Sequence, residues 1–108
     1  SLSAKRDITD VRDTVRAYYV LMQQGVTGRI YNVCSGNTWS IKKLLDHLLE
    51  KARVPITVKI KGGRLRPNDA AVLLGNPNRI RNEVGWKPEI SIKNTIHDLL
   101  TYWRGVIS

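Results

Sequence analysis

Ser40-Ile41-Lys42-Lys43-Leu44-Leu45-Asp46-His47-Leu48-Leu49-Glu50, followed by Pro55-Ile56-Thr57-Val58-Lys59-Ile60-Lys61, sets the fold class of this chain. In the first stretch Ile41, Leu44, Leu45, Leu48 and Leu49 recur at helical spacing, and Ala52 extends the same apolar face. Ser40 stands where an N-cap hydroxyl would accept from the first free backbone N–H groups. In the second stretch Ile56, Val58 and Ile60 alternate with Thr57, Lys59 and Lys61, which predicts a strand with one buried and one solvated face. A helical period that gives way to a period of two within so short a span marks a mixed α/β chain.

Toward the N-terminus, Asp10 caps a second helix. Val11, Val15, Tyr18, Tyr19 and Met22 supply its apolar stripe, and Asp13 takes the place of a capping-box acid. Gly25 and Gly28 bracket its exit. Arg29 to Cys34 reads as a strand ended by Ser35-Gly36-Asn37. Toward the C-terminus, a short apolar run spans Ala70 to Leu74. Asn76-Pro77 opens a short helix that Gly85 stops, and Trp86-Lys87-Pro88 is an extended connector. Ser91 caps a last helix with the face Ile92, Ile96, Leu99, Leu100 and Trp103.

The expected order is thus helix, strand, helix, strand, loop, short helix, helix. Two strands are too few for an independent sheet. Arg6 to Thr9 adds a little extended backbone, but the remaining partners must have preceded this chain or lie outside it. The polar, Met-free start at Ser1 agrees with a piece of something larger. The whole of 1–108 reads as one domain, with a core of modest size.

Eighteen Lys and Arg against nine Asp and Glu give a net charge of +9, which favours anionic partners. The charge is spread over separate segments, so it does not form a basic tail. No apolar run approaches the ~18 residues needed to span a bilayer, so no membrane association is expected. Cys34 is the single cysteine, and no internal disulfide is possible. A cytoplasmic setting fits that usage. His47 and His97 are far apart without other ligands at metal spacing, so no metal site is expected. The chain holds no Gly-x-Gly-x-x-Gly, no phosphate loop ending in Gly-Lys-Ser/Thr, and no tyrosine followed four residues later by lysine. No catalytic residue is assigned.

The chemistry concentrates in Arg64-Leu65-Arg66-Pro67-Asn68-Asp69, after Gly62-Gly63. A guanidinium presents a planar fork of donors suited to phosphate oxygens, and a carboxylate accepts from ribose hydroxyls. The stretch is either half of a nucleotide-diphosphate clamp or a solvated basic turn. Arg6-Asp7, just before the Asp10 cap, is open in the same way. Arg6 is either a second phosphate donor or an ion-pair partner of Asp7 or Asp10.

Arg6-Asp7-Ile8-Thr9-Asp10-Val11-Arg12-Asp13, with Ala17-Tyr18, resembles the entry to the C-terminal region of extended short-chain dehydrogenase/reductases acting on nucleotide sugars. Tyr31-Asn32-Val33-Cys34-Ser35-Gly36 resembles their next strand and turn. Arg66-Pro67-Asn68-Asp69, Leu74-Gly75-Asn76-Pro77 and Gly85-Trp86-Lys87-Pro88 follow in the family's order, and Leu99 to Arg104 is similar to the GDP-mannose branch. That branch comprises the GDP-4-keto-6-deoxymannose reductases and GDP-mannose 4,6-dehydratases. Ile8 departs from the aromatic common at its position.

The resemblance implies a substrate-binding C-terminal portion that is normally attached to a Rossmann domain. That domain, its NADP(H) and its Ser/Thr-Tyr-Lys group lie upstream of what matches, so this chain itself would bind no cofactor and would be inactive alone. The implied roles are diphosphate binding by Arg6 and Arg66 and ribose binding by Asp69, with Arg64 a secondary candidate. The implied partners are a GDP-sugar and the Rossmann half. The helix from Asp10 and the strand from Arg29 would pack toward that half, and the isolated chain is expected to self-associate. A basic nucleic-acid-binding module and a structural or oligomerisation domain are the alternatives. The first lacks a recognition helix rich in Arg, Asn or Gln and any aromatic-basic interleaving on a strand.

Overall fold

A computed structural model describes residues 2–59 and 71–107. Among these residues the order is β1 (Lys5–Arg6), α1 (Val11–Gln24), β2 (Trp39–Ser40), α2 (Ile41–Glu50), β3 (Val72–Leu73), α3 (Asn78–Val84) and α4 (Ile92–Ile107). The mixed α/β class stands, and all four helices lie where capping and periodicity place them. Asp10 accepts from the Arg12 N–H, Ser40 from Lys43 at 3.1 Å, and Ser91 from Asn94 at 3.1 Å. Gly85, at φ +73°, closes α3 in the left-handed conformation that a residue with Cβ adopts only with strain.

The strands differ from expectation. β1 is the centre of a three-stranded sheet of order β2-β1-β3. It pairs antiparallel with β2 (Lys5 opposite Ser40, Arg6 opposite Trp39) and parallel with β3 (Lys5 opposite Val72, Arg6 opposite Leu73). Ser40 therefore ends a strand and caps a helix at once. Its extended backbone, φ −72° and ψ 147°, serves both purposes.

Arg29–Cys34 forms no ladder among the described residues. The alternation read from the sequence is nonetheless present: Tyr31 and Val33 pack against the core while Ile30 and Asn32 are exposed. The segment is extended and patterned for a sheet, but the described residues offer it no neighbouring strand. Ile56–Lys61 is corrected likewise: Ile56 and Val58 are exposed, no ladder forms through Lys59, and Ile60 and Lys61 lie outside the described residues.

The core is small. Ala17, Ile80 and Trp86 are fully buried at its centre, with Leu21, Tyr31, Val33 and Val84 packed around them. The radius of gyration is 16.9 Å, against roughly 13 Å for a compact domain of this length. The chain is a slab, 18 Å in its thinnest dimension, with little interior.

That thinness explains the second correction. The predicted apolar stripe of α1 points outward: Val11, Val15, Tyr18, Tyr19 and Met22 are all more than half exposed. The helix meets the core instead through Asp13, Ala17 and Leu21, spaced four residues apart. α4 is divided in the same way. Ile96 is buried and Ile92 and Leu100 are half-buried, whereas Leu99 and Trp103 are exposed.

Candidate functional site

Arg6 stands on the central strand of the sheet. The ladder around it is closed by Lys5 donating to the Ala71 carbonyl at 2.8 Å and Asp7 donating to the Leu73 carbonyl at 2.9 Å. Arg6 is half-buried, and its Nη1 donates to the Lys5 carbonyl at 2.9 Å. Ala71 follows Asp69 by two residues in the sequence, so the chain joins this ladder directly after the Arg64–Asp69 stretch. Arg64, Arg66 and Asp69 themselves lie outside the described residues.

Asp7, the residue after Arg6, gathers donors from two distant loops. Oδ1 accepts from the Ser35 N–H at 2.9 Å and the Ser35 hydroxyl at 2.6 Å. Oδ2 accepts from the Gly36 N–H at 2.8 Å and the Gly75 N–H at 3.3 Å. Partial burial pushes this carboxyl's pKa up, but the bonds from Ser35, Gly36 and Gly75 outweigh it and hold the pKa below the usual value. The loops touch closely here: a Cβ on Gly75 would lie 2.5 Å from Cys34 Sγ. Burial, and then the Asp7 charge, push the pKa of the Cys34 thiol up.

Two open depressions flank this junction. One, of about 390 Å³, is lined among others by Ser35, Gly36, Gly75, Asn76 and Arg81. The other, of about 250 Å³, includes Thr9, Asn37, Trp39, Arg81 and Lys87. Arg81 gives both a cation, and the second, which adds Lys87, also has an apolar side made by Ile8, Trp39, Ile90 and Ile92. No group of three or more His, Cys, Asp or Glu side chains gathers as a metal site among the described residues. No helix among them is long and apolar enough to cross a membrane.

The base of the site is tied down by two further aspartates. Asp10 is buried and held well below the ordinary carboxyl range, chiefly by the Arg12 guanidinium, against an opposing desolvation, and also by the Thr95 hydroxyl at 2.7 Å. Arg12 bridges onward to Asp98 at 2.8 Å and so joins the start of α1 to α4. Asp13 is 2% exposed and does not act as a capping-box acid. Its Oδ2 accepts from the Glu89 and Ile90 N–H groups at 3.2 and 3.0 Å, and Arg16 reaches its Oδ1 at 3.3 Å. Trp86 is buried, with its indole N–H on the Asp13 carbonyl, as befits a packing corner and not a stacking platform.

Asp7 and Asp13 are the residues that sequence reasoning missed. The sequence offers Asp7 only as a pairing partner for Arg6, and Asp13 only as a local cap. Nothing near either in sequence signals acceptors for N–H groups 28 to 77 residues away.

Comparison with known proteins covers nearly the whole chain. The family model described as GDP-mannose 4,6 dehydratase matches residues 1–99. GDP-6-deoxy-D-mannose reductase of Pseudomonas aeruginosa is 34% identical over 103 residues, which are 95% of this chain and 34% of that protein. The structure of RMD from Pseudomonas aeruginosa, complexed with NADPH, superposes with a TM-score of 0.89 at 32% identity, covering 99% of this chain and 35% of that one. A structure of a putative epimerase from Burkholderia cenocepacia gives 0.88 at 31% identity, over 97% of this chain and 35% of its own length. The chain thus spans about a third of the relatives it matches. The family model matches this chain over residues 1–99 of 108, and the chain belongs to the GDP-mannose 4,6-dehydratase family.

Proposed function

We propose that this chain is the nucleotide-sugar-binding, C-terminal portion of a GDP-sugar reductase or dehydratase, and that it is inactive alone. The observation that carries the reading is the pairing of Arg6 with Leu73, on a strand only a few residues beyond Asp69. The pairing supports the reading because β3 begins three residues after Asp69 in the sequence, and two guanidiniums distant in sequence suit the two ends of one diphosphate. Arg6 and Arg66 take the diphosphate, Asp69 takes the ribose hydroxyls, and Arg64 has a secondary share.

The residues present do not fit a dinucleotide cofactor. The chain has no glycine-rich turn of the Gly-x-Gly-x-x-Gly kind and no Tyr-x-x-x-Lys pair, so no redox step runs through it. The NADP(H) of the intact enzyme belongs to a Rossmann half. The outward stripe of α1 and the unladdered Ile30–Val33 edge are the surface on which that half packs. One presents apolar area and the other an extended strand, which suit a sheet flanked by helices.

Titration of the chain with GDP-mannose, with GDP and with a short DNA duplex over a salt series tests the reading. Saturable binding of the GDP compounds, lost in Arg66→Ala with the fold retained, is expected. Duplex binding with a steep salt slope, and none to GDP, would establish the nucleic-acid alternative instead.

A further inference from the structure

We propose that Asp7 is a positioning residue for diphosphate binding, fixing the strand that carries Arg6 against the loops on either side of it. The inference rests on the reading that Arg6 binds the diphosphate. Neighbouring residues of an extended strand send their side chains to opposite faces, so Asp7 anchors β1 from the side away from Arg6. Its carboxylate holds Ser35 and Gly36 on one loop and Gly75 on the other.

Gly75 lies two residues beyond β3, the strand whose Leu73 is opposite Arg6. The one carboxylate thus ties together β1, the exit of β3 and the turn that leads toward β2. The approach it bridges has no slack, since an added Cβ on Gly75 would meet Cys34 Sγ at 2.5 Å and Cys34 Cβ at 2.8 Å. Loss of these bonds shifts β1 against β3, and with it the guanidinium of Arg6. A carboxylate accepting several N–H bonds is a strong anchor because each bond is charge-assisted. An amide in its place turns an NH2 group toward at least one of the same donors.

The experiment titrates the chain with GDP and with guanosine, which has the base and ribose but no phosphate, and follows binding in amide NMR spectra that also report the fold. Asp7→Asn, Arg6→Ala and the double variant are compared with the parent. Asp7→Asn is expected to weaken GDP roughly tenfold, as for one misplaced charge-assisted contact, and to leave guanosine unchanged. The double variant is expected to bind GDP no more weakly than Arg6→Ala, because Asp7 acts through Arg6.

Parent-like GDP binding by Asp7→Asn alongside a loss in Arg6→Ala, or additive losses in the double variant, overturns the proposal and leaves the diphosphate reading standing. An equal loss for guanosine and GDP marks a general structural role and also overturns it. Unchanged GDP binding by Arg6→Ala, or no GDP binding by the parent, overturns the diphosphate reading and the proposal with it. If Asp7→Asn does not fold, Ser35→Ala removes the 2.6 Å bond and keeps the backbone donors, and a GDP-selective loss of about threefold is then expected. No selective loss in that variant overturns the proposal.

Discussion

The indole N–H of Trp86 donates to the carbonyl oxygen of Asp13 at 3.0 Å, locking the Gly85–Pro88 corner to the first turn of α1. The same ring is the largest fully buried side chain, and the Arg16 guanidinium lies 5.7 Å from its centroid. With so few other buried groups, this contact holds a large share of the packing. Trp86→Ala is expected to cost about 3–5 kcal/mol, and Trp86→Phe, which keeps most of the ring area but loses the donor, is expected to cost less. Urea denaturation of the two variants measures the difference.

Asp13 makes the complementary contact. Its carboxylate receives the Glu89 and Ile90 N–H groups, and Asp13 itself is almost fully buried. Asp13→Ala is expected to destabilise the chain by roughly 3 kcal/mol, through the loss of two charge-assisted bonds from part-buried backbone donors. Hydrogen exchange at Glu89 and Ile90 is expected to accelerate in that variant before exchange does in α2.

Acid sensitivity follows from Asp7 and Asp10, whose folded pKa values both lie below the unfolded ones. Between the two values the unfolded chain binds more protons, so the stability these groups supply is fully present above about pH 4. It falls away as the pH drops through the folded values. Melting temperatures taken from pH 6 down to pH 2 are expected to stay level at first and then fall below about pH 4. Asp10→Asn is expected to be less stable at neutral pH and to show a shallower fall.

The outward stripe of α1 carries a prediction about association. Val15, Tyr18, Tyr19 and Met22 form a continuous exposed apolar row on a chain with a thin core. Surfaces of this kind are covered in intact proteins. The isolated chain is expected to bind a hydrophobic dye and to sediment as more than a monomer, and Val15→Glu with Met22→Lys is expected to reduce both. Because that face lies opposite Ala17, the substitutions are expected to change the melting temperature little.

The sequence by itself determined the four described helices, several of their ends and the family. Asp10, Ser40, Ser91 and Gly85 act within one turn of their own positions, and capping and periodicity are local physics. The ordered series from Arg6-Asp7 to Trp86-Lys87-Pro88 was enough to indicate the family, which the match over residues 1–99 shows. The tertiary structure decided which face of α1 is buried, because a stripe of Val, Tyr and Met demands a cover without naming it. The described residues supply a small core that meets Ala17 instead. The tertiary structure also decided the roles of Asp7 and Asp13. Their partners lie 28 to 77 residues away, and only the folded path of the chain brings those N–H groups within reach of a carboxylate.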